Sequence, residues 1–272
     1  MDIKEPIKVL DHGYIKYLDH MGSDEDIEAA ARISYEKRGR SETRALIRYL
    51  MRHNHTSPFE MAELKFEIKM PIFVARQWVR HRTASMNEYS LRYSEATDEF
   101  YIPEYARAQD MINKQGSDGF IEYPIQFATK ELSEELYKRY KGMIDAGISK
   151  ELARIILPTN NYTKFVWKID LHNLFHFLKL RTDSHAQLEI REYAQVIEVM
   201  VKRLFPISYE AWVDYKALSY TLSCEEVQIL KTLINENKLN KDRVKSFIND
   251  AVSQELMTNR EANEFLGVLL NE

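Results

Sequence analysis

The chain has 272 residues, of which 44% are hydrophobic and 29% charged, so it can bury one sizeable core and carry a small appendage. Its formal net charge of −4 opposes nonspecific binding to a polyanion, so a bound phosphate would need a local basic cluster. The sequence lacks the run of about 18 apolar residues that a membrane span needs, and its first residues lack the apolar core of a signal peptide. The single cysteine, Cys224, cannot form an internal disulfide, so we expect a reducing cytoplasm.

The first seventy residues predict a hairpin, two helices and a strand. The hairpin comprises residues 7–10 and 14–18 around a glycine turn at Asp11-His12-Gly13. One helix is predicted from Ser23 to about Glu36, and a second from Ser41 through Met51. Residues 63–70 alternate between charged and apolar side chains, which predicts a strand with one buried face.

The middle of the chain predicts further elements, whose boundaries come from proline, glycine and capping residues. Pro71 fits the first position of a helix that ends at about Arg80, whereas residues 87–93 and 101–128 predict loop and irregular structure. A helix is predicted from about Lys130 to Gly147, which would follow its C-cap, and a short helix capped by Ser149 and stopped by Pro158 comes next. Residues 162–169 predict a strand. Two further helices are predicted, one capped by Asp170 and ending at about Arg181, and one from about Ala186 to Phe205.

After about residue 216 the pattern changes to three short helices, which predicts a separate helical extension. We therefore expect a domain over residues 1–215 and an extension of unknown role over 216–272. The expected fold class is α+β, with a mainly antiparallel sheet flanked by long helices and a small C-terminal helical appendage.

The segment from Arg76 to Tyr93 is the most informative part of the chain, because it holds four arginines and one histidine against a single carboxylate. On a helix, Arg76, Gln77 and Arg80 would share a face, with Arg82 and Arg92 in the turn and loop that follow. Guanidinium groups match phosphate oxygens in a bidentate fashion, so this segment predicts a phosphate site. The alternative is a solvated basic helix end, with Trp78 and Val79 simply on the core side of the helix.

The spacing within this segment identifies a family. Arg80-His81-Arg82 is followed by seven residues and then Ser90. Between these two points the pattern also fixes Ser85 and Asn87-Glu88, and after Ser90 it fixes Arg92-Tyr93. This pattern resembles the signature of flavin-dependent thymidylate synthases. Three further stretches carry the same resemblance, which extends over about residues 7 to 215: 55–60, 153–158 and 180–187.

The resemblance implies reductive methylation of dUMP to dTMP, with methylene-tetrahydrofolate as the one-carbon donor and NADPH-reduced FAD as the hydride source. It also implies a homotetramer with shared active sites, acting on neither nucleic acid nor membrane, and no metal. The residues implied at FAD are Ser57, Arg80, His81, Arg82, Glu88, Asp170, Leu171, His172 and His176. Those implied at dUMP are Gln77, Trp78, Val79, Arg80, Glu88, Tyr89, Ser90, Leu91, Arg92, Arg181 and, from a neighbouring subunit, Arg154.

Arg181 is the expected catalytic residue, since a permanently charged guanidinium can stabilise an enolate-like uracil. Cys224 lies in the extension without an arginine-rich setting, so a thiolate attack on the uracil ring is not expected. The sequence also lacks a G-x-G-x-x-G motif after a strand, so the arginine-rich segment would have to bind the cofactor phosphates. Some members of the family have Asn where this chain has Asp170 and His176, which makes these two FAD contacts less expected than the others.

Three alternatives remain open on the residues alone. A metal-dependent hydrolase could use the pairs His53/His55 and His172/His176, the second of which has helical i,i+4 spacing. A non-catalytic nucleic-acid-binding module could use the arginines with neighbouring aromatic rings, although the net charge opposes it. Ser90 could be a nucleophile if a histidine lay beside it, but contact with the substrate is the expected role.

Overall fold

Five strands of the chain form one antiparallel sheet. The computed structural model describes residues 5–33, 42–111, 116–219, 221–235 and 240–270. The sheet strands are β1 (Ile7–Val9), β2 (Gly13–Met21), β3 (Glu63–Pro71), β4 (Ser85–Glu88) and β7 (Tyr162–Asp170), and they lie in the order β1–β2–β3–β7–β4. The predicted hairpin and the strands over 63–70 and 162–169 are confirmed. In β3 the apolar residues Leu64, Phe66, Ile68 and Met70 are fully buried, as the alternation requires.

Two predictions about irregular structure are wrong in part. Residues 106–121 include a hairpin of β5 (Ala106–Gln109) and β6 (Ser117–Ile121), and the helix expected near Lys130 already begins at Ile125. All of β6 is exposed, so the hydrophobic alternation that reveals a half-buried strand is missing there. Asn87 and Glu88, expected in a loop, belong to β4, because they pair with Val166 and Phe165 of β7.

Nine helices are described in the part of the chain before residue 218, and most follow the predicted pattern. They are α1 (Asp24–Arg32), α2 (Thr43–Arg52), α3 (Ser57–Glu60), α4 (Ile72–Trp78), α5 (Ile125–Asp145), α6 (Lys150–Ala153), α7 (Leu171–Arg181), α8 (Leu188–Leu204) and α9 (Pro206–Trp212). A 3-10 turn, Arg154–Ile156, follows α6, and a π-helical turn, Val213–Ala217, follows α9. The expected end of α1 near Glu36 and the expected start of α2 at Ser41 lie outside the described residues.

The helix boundaries show which capping predictions were correct. The Ser23 hydroxyl accepts from the main-chain N–H of Asp26 over 3.3 Å, and Gly147 has the left-handed φ of 85° expected after a helix C-cap. Pro71 does not begin a helix; it ends β3 and occupies the N-cap position of α4. Ser149 lies at the N-cap of α6, but its side chain makes no capping hydrogen bond.

The core packs α4, α7 and α8 against the sheet through large rings. Trp78 of α4 is fully buried, with its ring centroid 4.4 Å from that of Phe177 in α7 and 5.1 Å from that of Trp167 in β7. These contacts hold the C-terminal ends of α4 and α7 together. The position of Trp78 therefore determines where the residues just beyond α4 lie.

The chain divides into two compact units, residues 1–217 and 218–272. The second unit contains α10 (Cys224–Asn235), α11 (Lys241–Ser253) and α12 (Asn259–Leu270), which agree with the three predicted helical patterns. Its buried residues include Ile234, Ile248 and Ala262, whereas Cys224 is exposed. None of the helices in the described parts of either unit has the length and apolar character needed to cross a membrane.

Candidate functional site

A cavity of about 300 Å³ lies between the segment that follows α4 and the length of α7. Its walls combine three guanidinium groups with two imidazole rings and small polar groups. The lining residues are Arg80, His81, Arg82, Thr83, Ile169, Asn173, His176, Leu180 and Arg181. Since the lining contains no carboxylate among the residues that the structure describes, the cavity is chemically suited to an anionic ligand.

Arg181, the last residue of α7, is held by two hydrogen bonds to the segment around the end of α4. Its Nε donates to Nε2 of His81 over 3.0 Å, and its Nη2 donates to the main-chain oxygen of Gln77 over 3.4 Å. Burial lowers the pKa of Arg181 from its ordinary value, although an arginine remains charged at neutral pH. The plane of this guanidinium is therefore fixed before any ligand binds.

His81 is neutral in this arrangement, because a guanidinium can only donate and the Nε2 atom of His81 must accept. Its proton is consequently on Nδ1. Burial, followed by the positive charges of Arg181 and His176, lowers the pKa of His81 to about 4. The ring also lies against Phe177, with the centroids 4.9 Å apart.

The local geometry differs from a continuous basic helix. α4 ends at Trp78, so Arg80 lies beyond the helix and the expected shared face with Arg76 does not form. Arg76 is exposed and does not line the cavity, whereas Arg80 and Arg82 do. The alternative in which Trp78 and Val79 both face the core is correct for Trp78 only, since Val79 is 37% exposed.

The expected nucleotide residues Glu88 to Arg92 form a second cluster at the end of β4. The Thr163 hydroxyl donates to Glu88 over 2.6 Å, and the Tyr89 hydroxyl donates to the main-chain oxygen of Glu95 over 3.1 Å. The Ser90 hydroxyl accepts from the main-chain N–H of Arg92 over 3.3 Å, and among the described residues no histidine is hydrogen-bonded to it. Leu91 is partly buried and packs on a small separate core with Tyr140 and Ala153.

Arg92 and the expected partner-subunit residue Arg154 lie near the same short helix. Arg92 forms an ion pair with Glu151 of α6 over 3.2 Å, with both side chains more than half exposed. Arg154 follows in the 3-10 turn after α6, and its side chain is exposed. Its exposure makes it accessible to a second chain.

Four expected cofactor residues lie at the N-terminal ends of α3 and α7 and are not themselves among the lining residues of the cavity. Ser57 is exposed at the first position of α3, and His172 is partly buried in the first turn of α7. Leu171 is fully buried, and its main-chain N–H is bonded to the oxygen of Ala62. Asp170 uses its carboxylate as the N-cap of α7.

Several residues at or beside the cavity had no expected role. Asn173 and Thr83 line it, and Gln187 reaches it indirectly through a hydrogen bond to Gln77. Gln187 had a signal in the sequence because it lies within the stretch 180–187 that carries the family resemblance, and Thr83 had one because it lies within the arginine-rich segment. Asn173 lies three residues after the capping Asp170, a spacing that indicates helix geometry and not a ligand.

The histidine pairs considered for a metal occupy different places. His53 is the C-cap of α2 and His55 follows it, with both rings against Tyr49. His172 and His176 lie on α7 as expected. Within the described ranges, no group of three or more histidine, cysteine or carboxylate residues is placed to hold a metal ion.

Comparisons with known proteins agree with the sequence signature. The family model described as "Thymidylate synthase complementing protein" matches residues 16–207. The chain is 48% identical over 249 residues to a flavin-dependent thymidylate synthase from Wolbachia pipientis wMel, covering 88% of this chain and 87% of that one. It is also 48% identical over 231 residues to one from Thermus thermophilus, covering 84% and 86%. A crystal structure of a UMP/dUMP methylase from Streptomyces cacaoi bound with 5-Br dUMP superposes with a TM-score of 0.71 at 32% identity, covering 79% of this chain and all of that one.

Proposed function

The chain belongs to the family of flavin-dependent thymidylate synthases, and on that premise we propose that its guanidinium-lined cavity holds part of FAD beside the dUMP to be methylated. The enzyme converts dUMP to dTMP and uses FAD as its cofactor. One observation carries the placement of the site: Arg80, Arg82 and Arg181 line one cavity whose described lining residues include no carboxylate. Three permanent positive charges, with no carboxylate among the described lining residues, attract a phosphorylated ligand.

The residues present fit FAD in their chemistry, but the cavity of one chain is too small for the whole cofactor. A volume of about 300 Å³ is at the lower end of the range for small-molecule sites, and FAD is a dinucleotide. We infer that Arg80, His81, Arg82 and His176 contact it in the cavity, and that the remaining contacts are those implied by the family pattern: Ser57, Glu88, Asp170, Leu171 and His172. Because Leu171 is fully buried, only its main chain is available.

For dUMP, we infer contacts from the end of α4 and from the cluster after β4. Gln77, Arg80 and Arg181 lie at the first of these places, and Glu88, Tyr89, Ser90, Leu91 and Arg92 at the second. Trp78 can contribute only main-chain atoms, since its side chain lies wholly in the core, whereas Val79 is partly exposed. The phosphate would replace Glu151 as the partner of Arg92. This exchange costs little free energy, because the ion pair between Arg92 and Glu151 is exposed.

The chemistry assigns Arg181 to the uracil ring. When bound and reduced by NADPH, FAD supplies the hydride, and methylene-tetrahydrofolate supplies the carbon. The neutral ring of His81 and the main-chain oxygen of Gln77 hold the Arg181 guanidinium in one plane, so it needs no reorganisation as negative charge develops on the uracil carbonyl. We infer that no thiol takes part, because the only cysteine, Cys224, has no arginine-rich setting in the sequence that would lower its pKa.

We also propose that the enzyme is a homotetramer in which each site receives Arg154 from a neighbouring chain. The exposed position of Arg154 supports this, as does the limited volume of the cavity in a single chain. Mixing inactive Arg154→Ala and Arg181→Ala subunits tests it, because some mixed sites then contain both arginines. Recovered dTMP formation supports the shared site, whereas mixtures no more active than their components contradict it. The cytoplasmic location expected from the single cysteine stays a prediction.

A visible spectrum of the purified protein, followed by NADPH oxidation with and without dUMP, tests the cofactor and the co-substrates together. We expect a yellow protein, NADPH oxidation that responds to dUMP, and dTMP formation that requires methylene-tetrahydrofolate. A colourless preparation that does not take up added FAD and does not respond to dUMP would contradict the proposal. Arg139→Ala is a suitable control, since Arg139 is exposed on α5 and its ion pair in the described part of the chain is the local one with Glu135.

A further inference from the structure

The buried carboxylate of Glu189 lies at the centre of a hydrogen-bond network that reaches α4. Glu189 is in the first turn of α8 and is 1% exposed. Its Oε1 accepts from Nη2 of Arg107 over 2.6 Å and from the Tyr101 hydroxyl over 3.0 Å. Its Oε2 accepts from Nε2 of Gln187 over 2.8 Å. A buried carboxylate of this kind is tolerated because every one of these partners is a donor.

The network continues from Gln187 into the proposed active site. The Oε1 atom of Gln187 accepts from Nε2 of Gln77, whose main-chain oxygen in turn accepts from Arg181 over 3.4 Å. Gln187 is the N-cap residue of α8, Gln77 lies on α4 and Arg181 ends α7, so the network joins three helices. Its members are Arg107, Tyr101, Glu189, Gln187, Gln77 and Arg181.

The chemistry of the donors and acceptors gives this network a direction. An ionised carboxylate only accepts, so Gln187 must present its amide nitrogen to Glu189 and its amide oxygen to Gln77. Gln77 must then present its side-chain nitrogen to Gln187. This leaves the side-chain oxygen of Gln77 for another partner. An amide of glutamine is symmetrical in shape, so nothing but such a network decides which end faces a ligand.

We propose that Glu189 is a positioning residue that orients the side chain of Gln77 through Gln187, so that an acceptor and not a donor faces the nucleotide. This inference rests on the proposed function, in which Gln77 contacts dUMP. An acceptor at this place recognises an N–H or hydroxyl group of the nucleotide and cannot bond to its phosphate oxygens. Glu189 itself does not touch the substrate.

A purely structural role for Glu189 makes a different prediction. Arg107 lies on β5, so its ion pair with Glu189 also attaches the β5–β6 hairpin to α8. If that attachment were the whole role, changes at Glu189 would lower stability without a specific effect on nucleotide binding. The two roles can therefore be separated by comparing the KM for dUMP with the melting temperature.

The first test is Glu189→Gln. The new amide keeps its oxygen toward Arg107 and Tyr101 and turns its nitrogen toward Gln187, which reverses the Gln187 amide and then the Gln77 amide. The nucleotide then meets a donor where it needs an acceptor. We expect the KM for dUMP to rise about tenfold, the size expected for one mispaired hydrogen bond, with kcat changed less than about threefold because binding is weakened equally in the ground and transition states.

The second test is the exchange Glu189→Gln with Gln187→Glu. The carboxylate now at position 187 accepts both from the amide nitrogen at position 189 and from Gln77, so the original orientation of Gln77 returns without a change in net charge. We expect the KM for dUMP to recover to within about threefold of the wild type. A double variant that melts near the wild-type temperature and still has the raised KM overturns the proposal.

A third variant guards against failure of Glu189→Gln to fold. Gln187→Met removes the connection to Gln77 but leaves Glu189 with Arg107 and Tyr101, so it should raise the KM for dUMP with little change in melting temperature. Tyr101→Phe is the matched control, since it removes one donor to the same carboxylate without touching Gln187. It should lower the melting temperature and leave the KM unchanged. An unchanged KM in Gln187→Met overturns the proposal.

Gln77→Ala distinguishes failure of this inference from failure of the site assignment. If Gln77→Ala raises the KM for dUMP and Glu189→Gln does not, the orientation by Glu189 is refuted while the site stands. If Gln77→Ala leaves the KM unchanged, the contact between Gln77 and dUMP is wrong and the inference fails with it. Neither result changes the conclusion that the wild-type enzyme forms dTMP.

Discussion

Asp170 and Asn173 are joined by two hydrogen bonds at the start of α7: Oδ1 of Asp170 accepts from the main-chain N–H of Asn173 over 2.9 Å, and Oδ2 accepts from its side-chain amide over 2.8 Å. The carboxylate of Asp170, one of the two less expected FAD contacts, is therefore engaged in capping a helix. The same contact orients Asn173, which lines the cavity. One residue thus serves the helix directly and the cavity indirectly.

The first prediction concerns this cap. Asp170→Ala should lower the free energy of unfolding by about 1 kcal/mol, because it removes the side-chain acceptor at an N-cap. Asp170→Asn should cost less than half of that, since its amide oxygen can still accept from the N–H of Asn173. Urea unfolding of the three proteins measures this. Equal losses in the two variants would show that the capping acceptor is not what position 170 contributes.

The second prediction concerns Arg181. Arg181→Ala should keep the flavin colour but lower kcat for dTMP formation by about 100-fold or more, because a positioned charge opposite the developing negative charge is lost. Arg181→Lys should recover only part of the loss, since an ammonium group cannot bond to His81 and Gln77 in the same plane. Single-turnover rates of dTMP formation provide the measurement. Normal turnover by Arg181→Ala would refute the role assigned to this residue.

The third prediction concerns Arg80, which should contact both bound molecules. Arg80→Ala should weaken FAD binding and raise the KM for dUMP, each by about tenfold or more, because a charged hydrogen bond is lost in each case. Equilibrium titration with FAD and steady-state kinetics with dUMP measure the two effects separately. Retention of both affinities would argue against a shared site, and Arg139→Ala should change neither.

The fourth prediction is the titration of His81. NMR of the ring protons should give a pKa of about 4, lowered from 6.5 by burial and by the adjacent positive charges. Between these two values the unfolded chain binds a proton that the folded chain does not, so this residue lowers stability progressively as the pH falls from 6.5 toward 4. Below the pKa of His81 in the folded chain, the ring is protonated in both the folded and the unfolded chain, so a further fall in pH causes no further loss of stability from this group.

A variant without a titrating ring isolates that contribution. His81→Gln keeps an acceptor for Arg181, so we expect wild type to lose more stability than this variant between about pH 7.5 and about pH 4.5. Urea unfolding at the two pH values gives the comparison. A wild-type ring that titrates near its ordinary value, or a difference of opposite sign, would show that Arg181 does not bond to a neutral His81.

The amino-acid sequence determined the family, the helices with strong periodicity and the strands with one buried face. β3 was recognisable because Leu64, Phe66, Ile68 and Met70 alternate with charged residues, which is a local pattern. The arginine-rich segment was recognisable because its spacing is specific. The hairpin of β5 and β6 was not, because its second strand is exposed and lacks the alternation of a buried face.

Only the tertiary structure decided how the site is arranged. Trp78 and Phe177 are far apart in sequence, and their packing determines that Arg181 meets His81 and Gln77. The orientation of Gln77 depends in the same way on Gln187 and Glu189, which lie more than a hundred residues further along the chain. Such contacts follow from burial and hydrogen-bond satisfaction summed over the whole fold, which no local pattern of residues records.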